Sequence, residues 1–198
     1  MTTFSPFFAP FLAVSPVIDY DHPEVAARAA ALTAGLGSDT AKAEALFLFV
    51  RDAITHSADA RQNPVTCAAS EVLAHGTGFC YAKCHLLVAL LRAVGIPAGL
   101  GYQRLRVDPE TDDGRFCLHG LAAVCLPAYG WYRLDPRGNK PGVDAQFTPP
   151  IERLAFAVRY PGEADLPEIL DAPRPEILAV LARHTTWDDL LADLPDLP

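Results

Sequence analysis

Hydrophobic positions recur first at helical and then at strand spacing along this chain. Asp21, Pro23 and Glu24 mark a helix start, and Gly35 and Gly37 end that helix. After Ser38 and Asp39, apolar residues at Ala43, Leu46, Phe47, Val50 and Ile54 return every three or four positions, as on one buried helix face. Arg61–Thr66 reads as a loop around Asn63-Pro64, and Ala69–His75 as a short helix stopped by Gly76 and Gly78. The clearest helix runs from about Cys80 to Val94 and is stopped by Gly95 and Pro97. Its stripe of Cys84, Leu87, Val88, Leu91 and Val94 is matched by Leu86, Ala89 and Leu90 on the opposite side, so the helix lies inside the protein.

The pattern then changes. Gly99–Val107, Leu118–Leu126 and Trp131–Leu134 read as strands, the last two flanking a hairpin turn at Pro127-Ala128-Tyr129-Gly130. The last third is rich in proline, with short helices expected near Glu176–Arg183 and Trp187–Leu191. Helices first and an antiparallel sheet afterwards predict an α+β domain, with the buried helix packed on the sheet. Without repeats or long linkers, residues 1–198 are expected to form one domain. The apolar stretch Phe4–Val14, broken by Pro6 and Pro10 and lacking a basic flank, reads as an extended segment and not as a signal peptide.

Charge narrows the function classes. The formal net charge is −8 and basic residues are dispersed, which argues against nucleic acid and anionic membranes as partners. Apolar runs such as Ala45–Val50 and Leu86–Leu91 are too short to span a bilayer. The cysteines number five, an odd count, at Cys67, Cys80, Cys84, Cys117 and Cys125; with no export signal, a reduced cytoplasmic setting is expected.

Elimination leaves a thiol. The chain has no Gly-x-Ser-x-Gly elbow, phosphate loop or His-Glu-x-x-His motif, and Gly35-Leu-Gly37 does not follow a strand. Cys80 and Cys84 stand four apart on one buried helix face, not at the spacing of paired zinc ligands, and there is no second pair. Cys80 is distinguished by following Gly76-Thr77-Gly78-Phe79 at the start of the buried helix. There, free backbone N–H groups and the helix dipole favour a thiolate and can hold an oxyanion. Alone, Cys80 would be read as a small buried hydrophobe.

A nucleophilic thiol needs a base, and the base needs an orienter. His22, His56, His75 and His184 stand in polar or terminal contexts and are expected at the surface, while His85 is expected to be structural. His119 opens the strand Leu118-His119-Gly120-Leu121-Ala122-Ala123-Val124, and Asp135 ends the next one, Trp131-Tyr132-Arg133-Leu134-Asp135-Pro136.

Residues 78–98, Gly-Phe-Cys-Tyr-Ala-Lys-Cys-His-Leu-Leu-Val-Ala-Leu-Leu-Arg-Ala-Val-Gly-Ile-Pro-Ala, resemble the nucleophile helix of the transglutaminase-like superfamily. His119-Gly-Leu and Trp131-x-x-Leu-Asp-Pro follow in the order of that family's His-Ala-Trp and Trp-x-x-Leu-Asp-Pro strands, so the likeness covers about Cys67 to Arg137. The resemblance implies a papain-like α+β core with Cys80 as nucleophile, His119 as base and acid, and Asp135 fixing the imidazole. It implies acyl transfer or hydrolysis at an amide or thioester carbonyl through an acyl-enzyme. The substrate would be a peptide, protein or small amide or thioester, and no metal or organic cofactor is required. The alternative is an inactive binding module on the same fold. His-Gly-Leu in place of His-Ala-Trp means that an aromatic wall beside the base is missing or comes from elsewhere.

A plain four-residue turn at 127–130 would pair Asp135 with Ala122, too far from His119 for a hydrogen bond. A bulge, a different loop or strong twist must then join them, or Asn139 or Asp144 is the orienter. Gln103, on the parity of Leu105 and Val107, is a candidate oxyanion donor, and Tyr81, Lys83 and Tyr102 are candidate cleft residues. Loops at Arg137–Lys140 and Pro149-Pro150 are candidate neighbours of the site.

Overall fold

The computed structural model describes residues 6–108, 110–111 and 114–197. Helices α1 (Pro23–Thr33), α2 (Asp39–Ala53), a one-turn α3 (Ser57–Ala60), α4 (Ala69–His75) and α5 (Cys80–Ala93) precede strands β3 (Ala98–Arg106), β4 (Phe116–Leu126) and β5 (Gly130–Leu134). Two-residue strands β1 (Thr55–His56) and β2 (Thr77–Gly78) pair in parallel, and β6 (Ala164–Asp165), α6 (Pro175–Arg183) and α7 (Trp187–Ala192) complete the chain. The main sheet is antiparallel in the order β5-β4-β3-β6, so the architecture is the expected α+β.

Local signals account for the helix boundaries. Pro23 occupies the first turn of α1, and Ser38 Oγ accepts the Ala41 amide at 3.2 Å to cap α2. The Glu71 carboxylate takes the free amides of Cys67 and Ala68 at the start of α4. That helix stops at Gly76, whose φ of +64° is left-handed and costs a glycine nothing. Helix α5 is apolar on all sides because it is enclosed on all sides: α1, α2 and α4 pack around it, and the β3–β4 hairpin closes it. The N-terminal stretch departs from the extended segment expected. Pro6 and Pro10 open 3-10 turns at Pro6–Phe8 and Pro10–Leu12, and Phe8 and Phe11 rest on Trp131 at ring-centroid distances of 6.2 and 4.8 Å. Phe4 lies outside the described residues.

Two buried cations lock α5 in place. Arg92, in its last turn, donates to the carbonyls of Ala98, Ala13 and Asp171, joining the helix end to β3, the N-terminal segment and the approach to α6. Lys83, in its first turn, is fully buried and donates to the carbonyls of Arg51, Ile54 and Arg137, so the end of α2 and the chain after β5 meet at one ammonium. Burial, aided by the nearby Arg137 charge, draws its pKa down to about 7.

The hairpin fixes a register that the sequence left open. Leu126 pairs with Gly130 across a three-residue connection, closed by the Tyr129 amide on Leu126 O at 3.0 Å and by Gly130 at φ +74°. Ala122 therefore faces Leu134, and Asp135 leaves the strand level with Leu121. That is one residue closer to His119 than a four-residue turn allows, and on the same side of the strand.

Lys83 makes a specific prediction about stability. Replacing it with Met keeps the apolar stem but leaves three buried carbonyls without their donor. Lys83→Met is expected to lose about 2–4 kcal/mol in urea denaturation. A loss below about 1 kcal/mol would show that these carbonyls find other partners.

Candidate functional site

Cys80 and His119 line a cleft of about 500 Å³, and Asp135 is buried behind the imidazole. Cys80 is the first residue of α5, and no side chain caps that helix start, so its first amides are not taken by a capping group. Parallel pairing of Thr55 with Thr77 and of His56 with Gly78 fixes the chain just before the cysteine. Gly120 explains how the strand comes so close to the helix. A Cβ there would lie 2.9 Å from the Tyr81 ring and 3.2 Å from Tyr81 Cα, so only glycine next to His119 allows this approach. The glycine of the His-Gly-Leu departure noted in the sequence thus has a steric cause.

His119 Nε2 bonds Asp135 Oδ2 at 2.7 Å, which leaves Nδ1 as the ring nitrogen available to the neighbouring Cys80 thiol. Asp135 is only 1% exposed, and its carboxylate also accepts the amides of Arg137 at 3.2 Å and Ala155 at 3.0 Å. Burial opposes the imidazolium, but the Asp135 charge and hydrogen bond, with help from Cys80, outweigh it and raise His119 to about 10. Burial likewise opposes the Asp135 carboxylate, yet His119 and the two amides hold it below its ordinary value. At neutral pH the pair is therefore imidazolium and carboxylate. Asn139 and Asp144 are engaged elsewhere: Asn139 bonds the Ala145 backbone, and Asp144 pairs with Arg153.

The remaining predicted residues fall into two groups. Gln103 is buried opposite His119 in the β3–β4 register, but its amide nitrogen donates to Phe156 O at 3.1 Å and Asp165 Oδ1 at 2.9 Å. Both its N–H groups are in use, so what it holds is the chain segment at Phe156. Tyr81 is buried with its hydroxyl on Leu118 O, and burial raises its pKa well above the usual range. Tyr102 is also buried, and its hydroxyl accepts the Arg174 amide at 3.3 Å. Neither tyrosine lines the cleft, and Lys83 lies beneath it. Of the two candidate loops, Arg137 and Lys140 line the cleft and Pro149-Pro150 does not.

Two neighbours escaped sequence reasoning. Phe156 stands edge-on to the His119 ring at 5.0 Å and 83°, so the aromatic wall beside the imidazole comes from the loop after β5. His56, expected at the surface, is buried in the cleft wall against Phe79, with ring centroids 5.0 Å apart. Burial and the Arg137 charge lower its pKa well below 6.5, which keeps it neutral. His184 is half-buried and bonded to Asp193 at 2.8 Å, whereas His22 and His75 are exposed as expected. His85 has the structural role expected of it: buried, drawn down by that burial to about 4, and donating from Nδ1 to Cys67 O at 2.8 Å. The signal for His56 is the β1–β2 pairing, which two residues per strand are too short to announce.

The model of the transglutaminase-like superfamily matches residues 26–136, more than half of the chain. No curated protein matches. Among solved structures, a candidate cysteine protease from Cytophaga hutchinsonii is 18% identical, with a TM-score of 0.55 over 68% of this chain and 43% of its own. The periplasmic domain of TgpA from Pseudomonas aeruginosa is 23% identical, with a TM-score of 0.49 over 68% of this chain and 48% of its own. The chain thus spans less than half the length of either structure, and the likeness to the first shows a shared fold.

The buried pair predicts a pH signature. Raised above 6.5, His119 contributes stability that is full below pH 6.5 and is lost as the pH rises toward 10. Asp135, lowered below 3.8, contributes above pH 3.8 and loses that contribution as the pH falls through its folded value. Asp135→Asn is therefore expected to cost most between pH 3.8 and 6.5, by about 3–5 kcal/mol, with the gap to the wild type narrowing on either side. Thermal melts from below pH 3.8 to well above pH 6.5 measure this; a pH-independent gap contradicts a charged pair.

Proposed function

The chain belongs to the transglutaminase-like superfamily, and we propose that it is a thiol-dependent acyltransferase or hydrolase acting on amide or thioester carbonyls. The observation that carries this reading is one imidazole bonded to a buried carboxylate and sharing a cleft with the thiol at a helix start. In this reading the Cys80 thiolate attacks the carbonyl carbon, and the resulting oxyanion lies against the uncapped amides at the start of α5. As the tetrahedral intermediate collapses, His119 delivers its Nδ1 proton to the departing amine or thiol, leaving an S-acyl cysteine. Water or an amine then attacks that thioester, gives its proton to His119 and releases the acyl product, restoring the starting pair. Asp135 holds the ring in place and its charge favours the imidazolium throughout.

No step calls on a metal or an organic cofactor. In this reading the substrates are peptides or proteins, and the five free thiols support a reducing, cytoplasmic setting. Among the described residues no helix is long and apolar enough to cross a membrane.

The competing thiols make the test discriminating. Burial raises Cys67 to about 11 and Cys117 to about 12, and raises Cys84 well above its ordinary value. With limiting iodoacetamide at neutral pH, alkylation mapped by mass spectrometry is expected at Cys80 first. His119→Ala should slow that labelling by about tenfold or more and abolish turnover of a small acyl thioester. Faster labelling of Cys67 or Cys117, with no thioester turnover, would overturn the reading in favour of an inactive binding module.

A further inference from the structure

The charged residues around the cleft are not a sample of the chain. The protein carries 24 acidic and 16 basic residues, yet among the described residues the cleft is lined by Arg106, Arg137, Lys140 and Arg159 against Asp59 and Glu163. Both carboxylates, moreover, are consumed by the protein itself. Glu163 accepts the backbone amides of Arg159 at 2.8 Å, Tyr160 at 3.0 Å and Arg106 at 3.1 Å, so both its oxygens are committed to holding its own loop. Asp59 pairs with Arg137 at 2.8 Å and with Lys140 at 2.6 Å, one anion shared between two cations.

What is left over is positive. Arg106 has contacts of its own, including the Tyr160 ring under its guanidinium at 5.1 Å, and is left out of the count. The balance is then Arg137, Lys140 and Arg159 against two engaged carboxylates, with His56 in the same wall held neutral. Arg159 is exposed at the cleft, and among the described residues its guanidinium has no hydrogen bond or ion pair. Its position is set all the same, because Glu163 grips its backbone amide. A concave wall focuses such a field, even on a protein whose net charge is −8.

We propose that this cleft selects acidic peptides: acyl donors with a carboxylate side chain beside the scissile carbonyl, held by Arg159 and by the Lys140 side of the Asp59 cluster. This rests on the acyl-transfer reading of Cys80, and it adds a substrate class that the fold does not specify. Phosphate-bearing peptides would be drawn by the same cations, but Lys140 already shares Asp59 with Arg137, which leaves a charge nearer to what a carboxylate needs than to what a phosphate dianion takes.

The test uses the full chain and needs no knowledge of its natural substrate. Anionic iodoacetate and neutral iodoacetamide are compared at Cys80, and their rate ratio is normalised to that of 2-mercaptoethanol. The cleft field is expected to raise the normalised ratio by about threefold or more at low salt, and the gain should fade as ionic strength rises. Because the His119 imidazolium also attracts iodoacetate, Arg159→Glu and Lys140→Glu isolate the contribution of the wall. Each should lower the ratio, by slowing iodoacetate more than iodoacetamide at Cys80.

Matched fluorogenic peptides with Glu or Lys beside the scissile amide should then show a preference for Glu in kcat/KM that the two variants reduce or reverse. A ratio unchanged by both variants, or a preference for Lys, overturns the proposal while leaving the acyl-transfer reading intact. If instead the ratio responds as expected and nothing is turned over, the acyl-transfer reading fails and the anion-selective cleft stands. Faster reaction of a phosphoserine peptide than of its Glu counterpart, lost in the same variants, would assign the cleft to phosphopeptides and overturn the carboxylate proposal.

Discussion

The arrangement of this protein turns on a buried ion pair that ordinary desolvation would forbid. An imidazolium and a carboxylate enclosed in protein each lose hydration worth several kcal/mol, and they persist only where geometry returns it. Here the return comes from a 2.7 Å contact between His119 and Asp135, two backbone amides on the carboxylate, and the neighbouring Cys80 thiol. Each contact in turn depends on a separate piece of chain. The three-residue hairpin puts Asp135 within reach, and Gly120 lets β4 approach α5. Gln103 holds the Phe156 segment that walls the ring, and Lys83 ties the chain at Arg137 to the end of α2.

Much of this was legible in the sequence because it is local. Caps, glycine stops and apolar spacing located α1, α2, α4 and α5, since each boundary is decided within a few residues of itself. The all-round apolarity of α5 marked it as central, and the order of Cys80, His119 and Asp135 along the chain pointed to one site. What stayed hidden is non-local. The reach of Asp135 depended on whether the turn held three or four residues, which Pro127–Gly130 alone does not decide. His56 looked like a surface residue because its burial comes from a two-residue strand pairing with Gly78. Phe156 belongs to a proline-rich stretch without periodicity, and β6 is too short to carry any. The lone lysine of an apolar helix was the one visible hint of a buried cation.

The site residues also divide by what holds them. Cys80 and His119 sit on regular elements, a helix start and the longest strand, whose positions are fixed by the core. Much of the cleft wall comes from the one-turn α3 with Asp59, the turn at Arg137–Lys140, and the segment 155–163 organised by Glu163. Rigid scaffold for the chemistry and loops for recognition is a division that lets selectivity change without disturbing the thiol. It also explains why the family resemblance concentrates in residues 26–136, while the last third, which supplies Phe156 and Arg159, lies outside the match.

The most direct measurement is the capture of the covalent intermediate. Mixed briefly with a slowly deacylating activated thioester and quenched in acid, the protein should gain the mass of one acyl group, found by peptide mapping on Cys80. The adduct should be absent when Cys80 is replaced by Ala. An acyl group found instead on Cys117 or Cys67, or no adduct under conditions where the thioester is consumed, would contradict the assignment of Cys80 as the nucleophile.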